Sequence, residues 1–188
     1  MALHIAQDPA ADEILTNSPF ALLVGMMLDQ QYPMEHAFRG PAKVVSRFGS
    51  FEPAAIAGAD PGEFAALCST PPAIHRYPGS MAARLQEVAR IVVEEYDGDT
   101  SRIWTEAADG RDLAKRLQAL PGFGAQKVKI FMALLAKQLG VRPEGWEKVS
   151  GDYALEGFRS VADVVDEASL QKVRDHKKEM KAAAKARA

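Results

Sequence analysis

The sequence predicts an all-α protein, and three observations lead to this fold class. Apolar residues recur at spacings of three and four along most of the chain, which is the periodicity of amphipathic helices. No stretch sustains the alternation of polar and apolar residues that marks a β-strand. The segment Leu120–Val128 places a proline and two glycines between two helical patterns, which predicts a tight hairpin. We expect about nine or ten helices.

Length and composition favour one compact domain or a domain with two lobes, since the chain has 188 residues, 47% of them hydrophobic and 26% charged. The formal net charge is −2, so any contact with nucleic acid must come from a local basic patch. The single cysteine, Cys68, excludes an intrachain disulfide and a cysteine-ligated zinc or iron–sulfur site. No apolar run reaches the roughly 20 residues of a membrane span, and the N-terminal residues lack the basic region followed by a hydrophobic core that marks a signal peptide. We therefore expect a cytoplasmic protein with no membrane partner.

The first predicted helix begins at Pro19, with Ser18 as its N-cap. It is apolar nearly all round as far as Leu28, as expected for the central buried helix of a helical domain. The polarity changes abruptly at Asp29–Tyr32, which either delivers polar groups to a site or only caps the helix. A second helix is predicted over residues 34–48, with a break at Gly40 and Pro41.

Shorter helical segments are predicted next, around residues 53–57 and 61–67. Two prolines, Pro71 and Pro72, then impose an extended connection. A long amphipathic helix follows over residues 81–96, with Ser80 as its N-cap.

The hairpin comes after a predicted turn at residues 103–107. Its first helix is predicted over residues 111–120, and its second runs to Gly140. Gly122 and Gly124 lack side chains and tolerate positive φ, so the backbone amides around them can approach an anion at the helix N-terminus. The alternative is a plain turn. Two short helices, at residues 160–165 and 168–176, complete the prediction.

Together with two other stretches, the hairpin resembles the helix-hairpin-helix DNA glycosylase superfamily, which includes endonuclease III and the adenine-specific mismatch glycosylase. Residues 18–31 are similar to the buried first-lobe helix of that family, which ends in a glutamine. Tyr77 and residues 80–91 are similar to its helix before the hairpin. The segment Leu139–Trp146 resembles an actinobacterial branch of the superfamily.

The resemblance implies a two-lobed helical DNA glycosylase fold over residues 1–176, with double-stranded DNA crossing the cleft between the lobes. Residues 177–188 form a basic Ala/Lys tail, expected to be disordered or a frayed helix. A monomer is expected. No iron–sulfur cluster is implied, because that cluster needs four cysteines, and the only cofactor to consider is a monovalent cation at the hairpin.

The resemblance also assigns the DNA contacts. The amides of Gly122 and Gly124 would hold a phosphate, and Gln126 and Lys127 follow them at the start of the next helix. Gln31 lies where the family often places a residue that fills the gap left by an extruded base. The alternative for Gln31 is a simple helix end facing water.

The position of the lysine nucleophile is occupied differently here. In bifunctional members, a lysine two residues after the second hairpin glycine attacks the sugar and forms a Schiff base. Gln126 stands at that position, and an amide cannot act as this nucleophile. Lys127 is adjacent, but one residue turns a side chain by about 100° around a helix, so we expect it to meet a phosphate. Strong lyase activity is therefore not expected.

A carboxylate after the second hairpin helix is the remaining catalytic group of the family, because it stabilises the positive charge that develops on the sugar. Asp152 is the candidate, although its spacing from Gly124 exceeds the usual one by about two helical turns. Glu144 is the alternate and lies nearer the usual spacing, with Glu147 between the two. No metal site is expected.

Three aromatic residues are candidates to stack on an extruded base, the alternative being that they close a core. They are Tyr77, Trp146 and Tyr153. The leading hypothesis is a monofunctional DNA glycosylase of base excision repair. Its rival is a glycosylase fold that binds DNA or recognises lesions without catalysis. A protein-binding scaffold is a third and weaker hypothesis.

Overall fold

A computed structural model describes residues 1–188 as an all-helical protein with no β-strand, which confirms the predicted fold class. There are twelve α-helices, and two 3₁₀ helices lie at Gly151–Ala154 and Val161–Asp163. The α-helices are α1 (Pro9–Asn17), α2 (Pro19–Leu28), α3 (Met34–Phe38), α4 (Gly40–Phe48), α5 (Pro53–Ala57), α6 (Pro61–Ser69), α7 (Pro78–Tyr96), α8 (Arg102–Thr105), α9 (Gly110–Gln118), α10 (Ala125–Leu139), α11 (Trp146–Ser150) and α12 (Glu167–Ala186). None of them combines the length and the apolar character needed to cross a membrane.

Helix α2 is the buried centre of the first group of helices, as the sequence predicts. The hydroxyl of Ser18 accepts from the amide of Ala21, and Pro19 occupies the first turn. Every residue of α2 after Pro19 is buried. Gly25 lets Phe38 of α3 approach so closely that a Cβ built on this glycine would lie 2.4 Å from the ring. Helices α1 to α7 pack mainly on one another.

Helix α7 closes this first group and packs along α5 and α6. It begins at Pro78 with Tyr77 as N-cap, so the prediction that Ser80 caps it is wrong. The physical reason is that proline presets the φ of a first helical turn, which moves the start three residues upstream. The hydroxyl of Ser80 instead donates to the carbonyl of Tyr77.

Helices α8 to α12 and the two 3₁₀ helices form the second group, built around the hairpin of α9 and α10. The carboxylate of Asp109 caps α9 by accepting from the amide of Asp112. Helix α10 ends at Gly140 with φ of 71°, as predicted. Leu113 and Leu117 of α9 are buried against Phe131 and its neighbours in the single core.

Several short elements differ from the sequence prediction. Helix α1 was not predicted, although Asp8 caps it and Pro9 opens it in the same way that Ser18 and Pro19 open α2. The turn expected at residues 103–107 is helix α8, and the helix expected at 160–165 is only a 3₁₀ turn. Single-turn elements carry too few residues to show a periodicity.

Helix α12 continues through most of the basic tail. Asp166 and Ser169 cap its start reciprocally, and Leu170 and Val173 pack into the core. From residue 177 onwards every residue is exposed, yet the helix runs on to Ala186. The protein therefore ends in a helix of which only the first half rests on the body.

Candidate nucleic-acid interface

The hairpin turn presents unpaired backbone amides. Phe123 is buried at its tip, with its ring centroid 6.0 Å from that of Phe131, and this anchors the turn on the core. Gly124 is the N-cap of α10, and no side chain caps the helix there. The first amides of a helix have no intrahelical acceptor, and no atom lies within 4 Å of the place where a Cβ of Gly124 would stand. An anion can therefore approach these amides without obstruction.

Gly122 joins the hairpin to the first group of helices. Its φ is +85°, a conformation that favours glycine. A Cβ at this position would lie 2.9 Å from Cδ of Arg84 on α7 and 3.1 Å from Cγ of Met27 on α2. The turn thus packs closely against α2 and α7 of the first group of helices.

Lys127 completes this junction. Its ammonium donates a hydrogen bond of 2.9 Å to the carbonyl of Met27, which is one of the unpaired carbonyls at the C-terminal end of α2. Burial lowers the pKa of Lys127 to about 8, while the nearby Asp29 carboxylate acts to raise it and Arg84 to lower it further. In this structure the side chain points at the first group of helices, and phosphate binding by Lys127 stays a prediction.

Asp29 lies near Lys127 at the end of α2, and the sequence analysis named it only as part of the polar stretch Asp29–Tyr32. Its partial burial raises the pKa of its carboxyl, against the opposing effects of Lys177 and Lys127 and with a further increase from Glu35. The available signal was a carboxylate placed directly after a fully apolar helix. Its neighbours could not be foreseen, because α10 and α12 are distant in sequence.

The loop after α2 is bonded to α7 and to the segment that precedes α7. His75 is buried, with Nε2 2.8 Å from the carbonyl of Gln30, and its Nδ1 accepts from the amide of Tyr77. Nε2 is therefore the protonated nitrogen that donates to Gln30. Burial lowers the pKa of His75, so the ring is neutral at pH 7. Arg84 donates to the side-chain oxygen of Gln30 at 3.3 Å.

Gln31 lies at the tip of this loop. It is exposed and has φ of 52°, a left-handed conformation that is uncommon for a residue with a side chain. Behind it, the ring of Tyr32 stacks at 4.9 Å from that of His75. Gln31 thus projects from a turn whose backbone is fixed on the protein side.

The three aromatic candidates occupy different surroundings. Tyr77 is 47% exposed, with the guanidinium of Arg76 5.5 Å from its ring centroid. Trp146 is only 8% exposed, and its backbone packs against Gly110 at the start of α9. The hydroxyl of Tyr153 accepts from Nε2 of Gln126 at 2.9 Å. Only Tyr153 is brought into contact with the start of α10.

The two carboxylate candidates have different surroundings. The carbonyl of Glu144 accepts from the amide of Gly110 at 2.8 Å, whereas the hairpin turn follows the far end of α9, which is about 13 Å long. Asp152 directly precedes Tyr153, which contacts Gln126 in the first turn of α10. Its side chain is exposed. The hydroxyl of Tyr153 thus links the residue after Asp152 to the first turn of α10, while the backbone of Glu144 is bonded to the first residue of α9.

The remaining features do not add a cofactor. No group of three or more His, Cys, Asp or Glu residues is arranged to hold a metal ion. Cys68 is alone and buried, and burial raises the pKa of its thiol to about 11, so an iron–sulfur cluster does not fit. A depression of about 700 Å³ lies elsewhere, between the N-terminal segment and residues 165–167. Asp8 and Asp166, which line it, cap α1 and α12.

Comparison with known proteins agrees with this geometry. A family model described as HhH-GPD superfamily base excision DNA repair protein matches residues 24–187. That range includes the second half of α2, the whole hairpin and all of α12. No curated protein and no solved structure matches the chain. Because the family model covers most of its length, the chain belongs to the HhH-GPD superfamily of base excision DNA repair proteins.

Proposed function

We propose that the protein is a monofunctional DNA glycosylase. It would flip a damaged or mispaired base out of duplex DNA and hydrolyse its N-glycosidic bond, releasing the free base and leaving an abasic site. The single observation that carries the proposal is the hairpin, whose unobstructed amides at Gly124 face outward while Gly122 is pressed on Met27 and Arg84. A phosphate held there would fix the register of the duplex against the cleft.

In the reaction, the bond between C1′ of the sugar and the base nitrogen breaks, and the base leaves with the bonding electrons and takes up a proton. Positive charge develops on the sugar, and a nearby carboxylate stabilises it and orients the attacking water. Asp152 is the carboxylate that we assign to this step. Support comes from its neighbour Tyr153, which contacts Gln126 at the start of α10.

The monofunctional character rests on two side chains. Gln126 occupies the position of the Schiff-base lysine, and its amide is bonded to the hydroxyl of Tyr153. Lys127 has the lowered pKa of an activated amine, but its nitrogen lies on the carbonyl of Met27. It is directed at α2, so we expect no covalent intermediate with the sugar.

The test is a panel of duplexes that carry uracil, alkylated, oxidised or mispaired bases, followed by hot alkali to cut abasic sites. We expect excision of at least one lesion, and cleavage only after alkali. Asp152→Asn should lower the rate by about 100-fold or more, whereas Glu144→Gln should retain it. Full activity of Asp152→Asn would contradict the assignment of the carboxylate.

A second candidate function is lesion recognition or DNA binding without catalysis. The observation that favours it is the exposure of Asp152, since catalytic carboxylates are commonly held in desolvated pockets. This candidate predicts salt-sensitive binding to duplex DNA with no excision of any base in the panel.

A further inference from the structure

The exposed half of α12 carries a one-sided row of basic side chains. We name as the basic stripe Lys177, Lys178, Lys181 and Lys185. At about 100° per residue, these four side chains fall within an arc of about 100°. All four are exposed, and the residues between them include Ala182, Ala183 and Ala184.

The stripe continues the side of α12 that faces the body. Leu170 lies on the same side one or two turns earlier and is buried. Arg174 forms an ion pair with Glu35 on α3, and Lys177 lies close enough to Asp29 to oppose the rise of its pKa. The stripe therefore begins near Asp29, at the end of α2, and then runs beyond the body.

The charge of the stripe has no counterpart within the chain. Lys178, Lys181 and Lys185 take part in none of the ion pairs of the structure. Residues 177–188 hold five basic side chains and one acidic, although the whole chain has a net charge of −2. The rest of the protein is thus net acidic, whereas the end of α12 has a net positive charge.

The other side of the helix argues against a membrane surface as the partner. A helix that lies on a membrane needs a broad apolar face rich in large side chains. Beyond residue 177, Met180 is the only large apolar side chain of α12. A row of lysines on a small-residue helix fits a polyanion whose charges are regularly spaced.

We propose that the basic stripe of α12 is a second contact to the backbone of duplex DNA, on phosphates beside the one held by the hairpin. From Lys177 to Lys185 the helix rises about 12 Å, and phosphates follow each other by about 3.4 Å along one strand, so the stripe can span about three or four of them. This inference rests on the proposed function for its partner, but it requires only DNA binding and no catalysis.

The test compares two double variants of the full chain with equal changes of charge on the same helix. Lys181→Gln with Lys185→Gln removes half of the stripe. Lys172→Gln with Arg187→Gln removes two charges that point away from the stripe, one within α12 and one at its C-cap, and is the matched control. Binding to an undamaged, fluorescently labelled duplex is followed by anisotropy between 50 and 200 mM KCl, and circular dichroism checks that each variant stays helical.

The stripe variant should bind more weakly, and its plot of log K against log salt should be shallower by about 1.8, because each lost phosphate contact removes about 0.9 from the slope. The control should keep the slope of the wild type. The proposal would be overturned if the stripe variant and the wild type had equal slopes, or if both double variants lost the same amount of affinity and slope.

Failure of the proposed function is distinguishable from failure of this inference. A wild-type chain that binds duplex DNA but excises no base overturns the glycosylase assignment, and the comparison of slopes still decides the role of the stripe. A wild-type chain with no affinity for duplex DNA overturns both.

Discussion

Two glycines of the hairpin have different tasks, although they are only two residues apart. Gly122 needs positive φ and is in close contact with Met27 and Arg84, whereas Gly124 has φ of −78° and open space around it. Gly122 therefore serves the fold, and in the proposed function Gly124 leaves room for a phosphate to approach.

The first prediction separates these tasks. Gly122→Ala should lower the free energy of unfolding by about 1–2 kcal/mol, because alanine is strained at positive φ and its methyl group meets Cγ of Met27. Gly124→Ala should leave stability unchanged or slightly higher, but it should weaken binding to duplex DNA, because its methyl group stands over the free amides. Urea denaturation and anisotropy measure the two effects. Equal destabilisation by both substitutions would be inconsistent with this division.

The second prediction concerns the pH dependence of stability. The pKa of Lys127 is about 8 in the folded protein, against an ordinary value of 10.5. Between pH 8 and pH 10.5 the side chain is therefore mostly protonated in the unfolded chain and mostly neutral in the folded protein. Stability therefore rises with pH in this window. Between pH 8 and pH 10.5, the free energy of unfolding of the wild type should rise by on the order of 1–3 kcal/mol relative to that of Lys127→Met.

Urea denaturation of both proteins at several pH values between 7 and 10.5 checks this trend. Lys129→Met on the same helix is the matched control for the change of residue type. The groups that face Lys127 are Asp29, at the end of α2, and Arg84, on α7. A stability difference that stays constant across the window would show that burial does not perturb Lys127.

At the scale of elements, the start of α9 is held by direct contact with the backbone of α11. A Cβ on Gly110 would lie 2.9 Å from the amide nitrogen of Trp146 and 3.0 Å from its Cα. Backbone atoms cannot move aside as the end of a side chain can. The hairpin thus depends on a glycine at the end opposite to its turn.

Gly110→Ala should accordingly destabilise the protein by about 1–3 kcal/mol. Gly79→Ala is the control, since Gly79 lies in the first turn of α7 with nothing within 4 Å of its Cβ position. It should raise stability by up to about 1 kcal/mol through helix propensity. Thermal unfolding of the two variants provides the comparison, and a neutral Gly110→Ala would mean that α11 can shift.

The elements also show what the sequence could predict. Helices α2 and α10 were foreseen because each joins strong start or stop signals to a long apolar pattern, namely Ser18 and Pro19 for α2 and Gly140 for α10. Helix α8 was not, because four residues give no periodicity, whereas α1 has start signals, Asp8 and Pro9, of the same kind as those of α2. For α7, proline set the start, and the serine that resembled a cap lies inside the helix.

At the scale of the molecule, helix α12 has an anchored half and a free half. Deleting residues 177–188 should change the free energy of unfolding by less than about 0.5 kcal/mol, because none of these side chains is buried. Leu170→Ala, in the anchored half, should lower the free energy of unfolding by about 2–4 kcal/mol, because the side chain is only 3% exposed. Urea denaturation compares them. A large loss on deletion would show that the free half rests on the body.

The candidate site could be predicted only in part, and the reason lies in chain separation. The sequence identified the hairpin because its residues are contiguous. The junction of Lys127 with the carbonyl of Met27 joins residues 100 positions apart, and the approach of Lys177 to Asp29 spans still more of the chain. Sequence spacing carries no information about such contacts. Sequence spacing also placed Glu144 nearer the usual position than Asp152, and in the structure its carbonyl is bonded to the amide of Gly110 at the start of α9.

The loop after α2 gives a last consequence for the thermodynamics of recognition. The backbone carbonyl of Gln30 is bonded to His75, and the side chain of Gln30 is bonded to Arg84. The next residue, Gln31, has a left-handed backbone conformation. The entropy lost in ordering this loop is therefore incurred during folding. For the proposed role of Gln31, preorganisation means that the gap-filling side chain needs no disorder-to-order transition when the duplex opens.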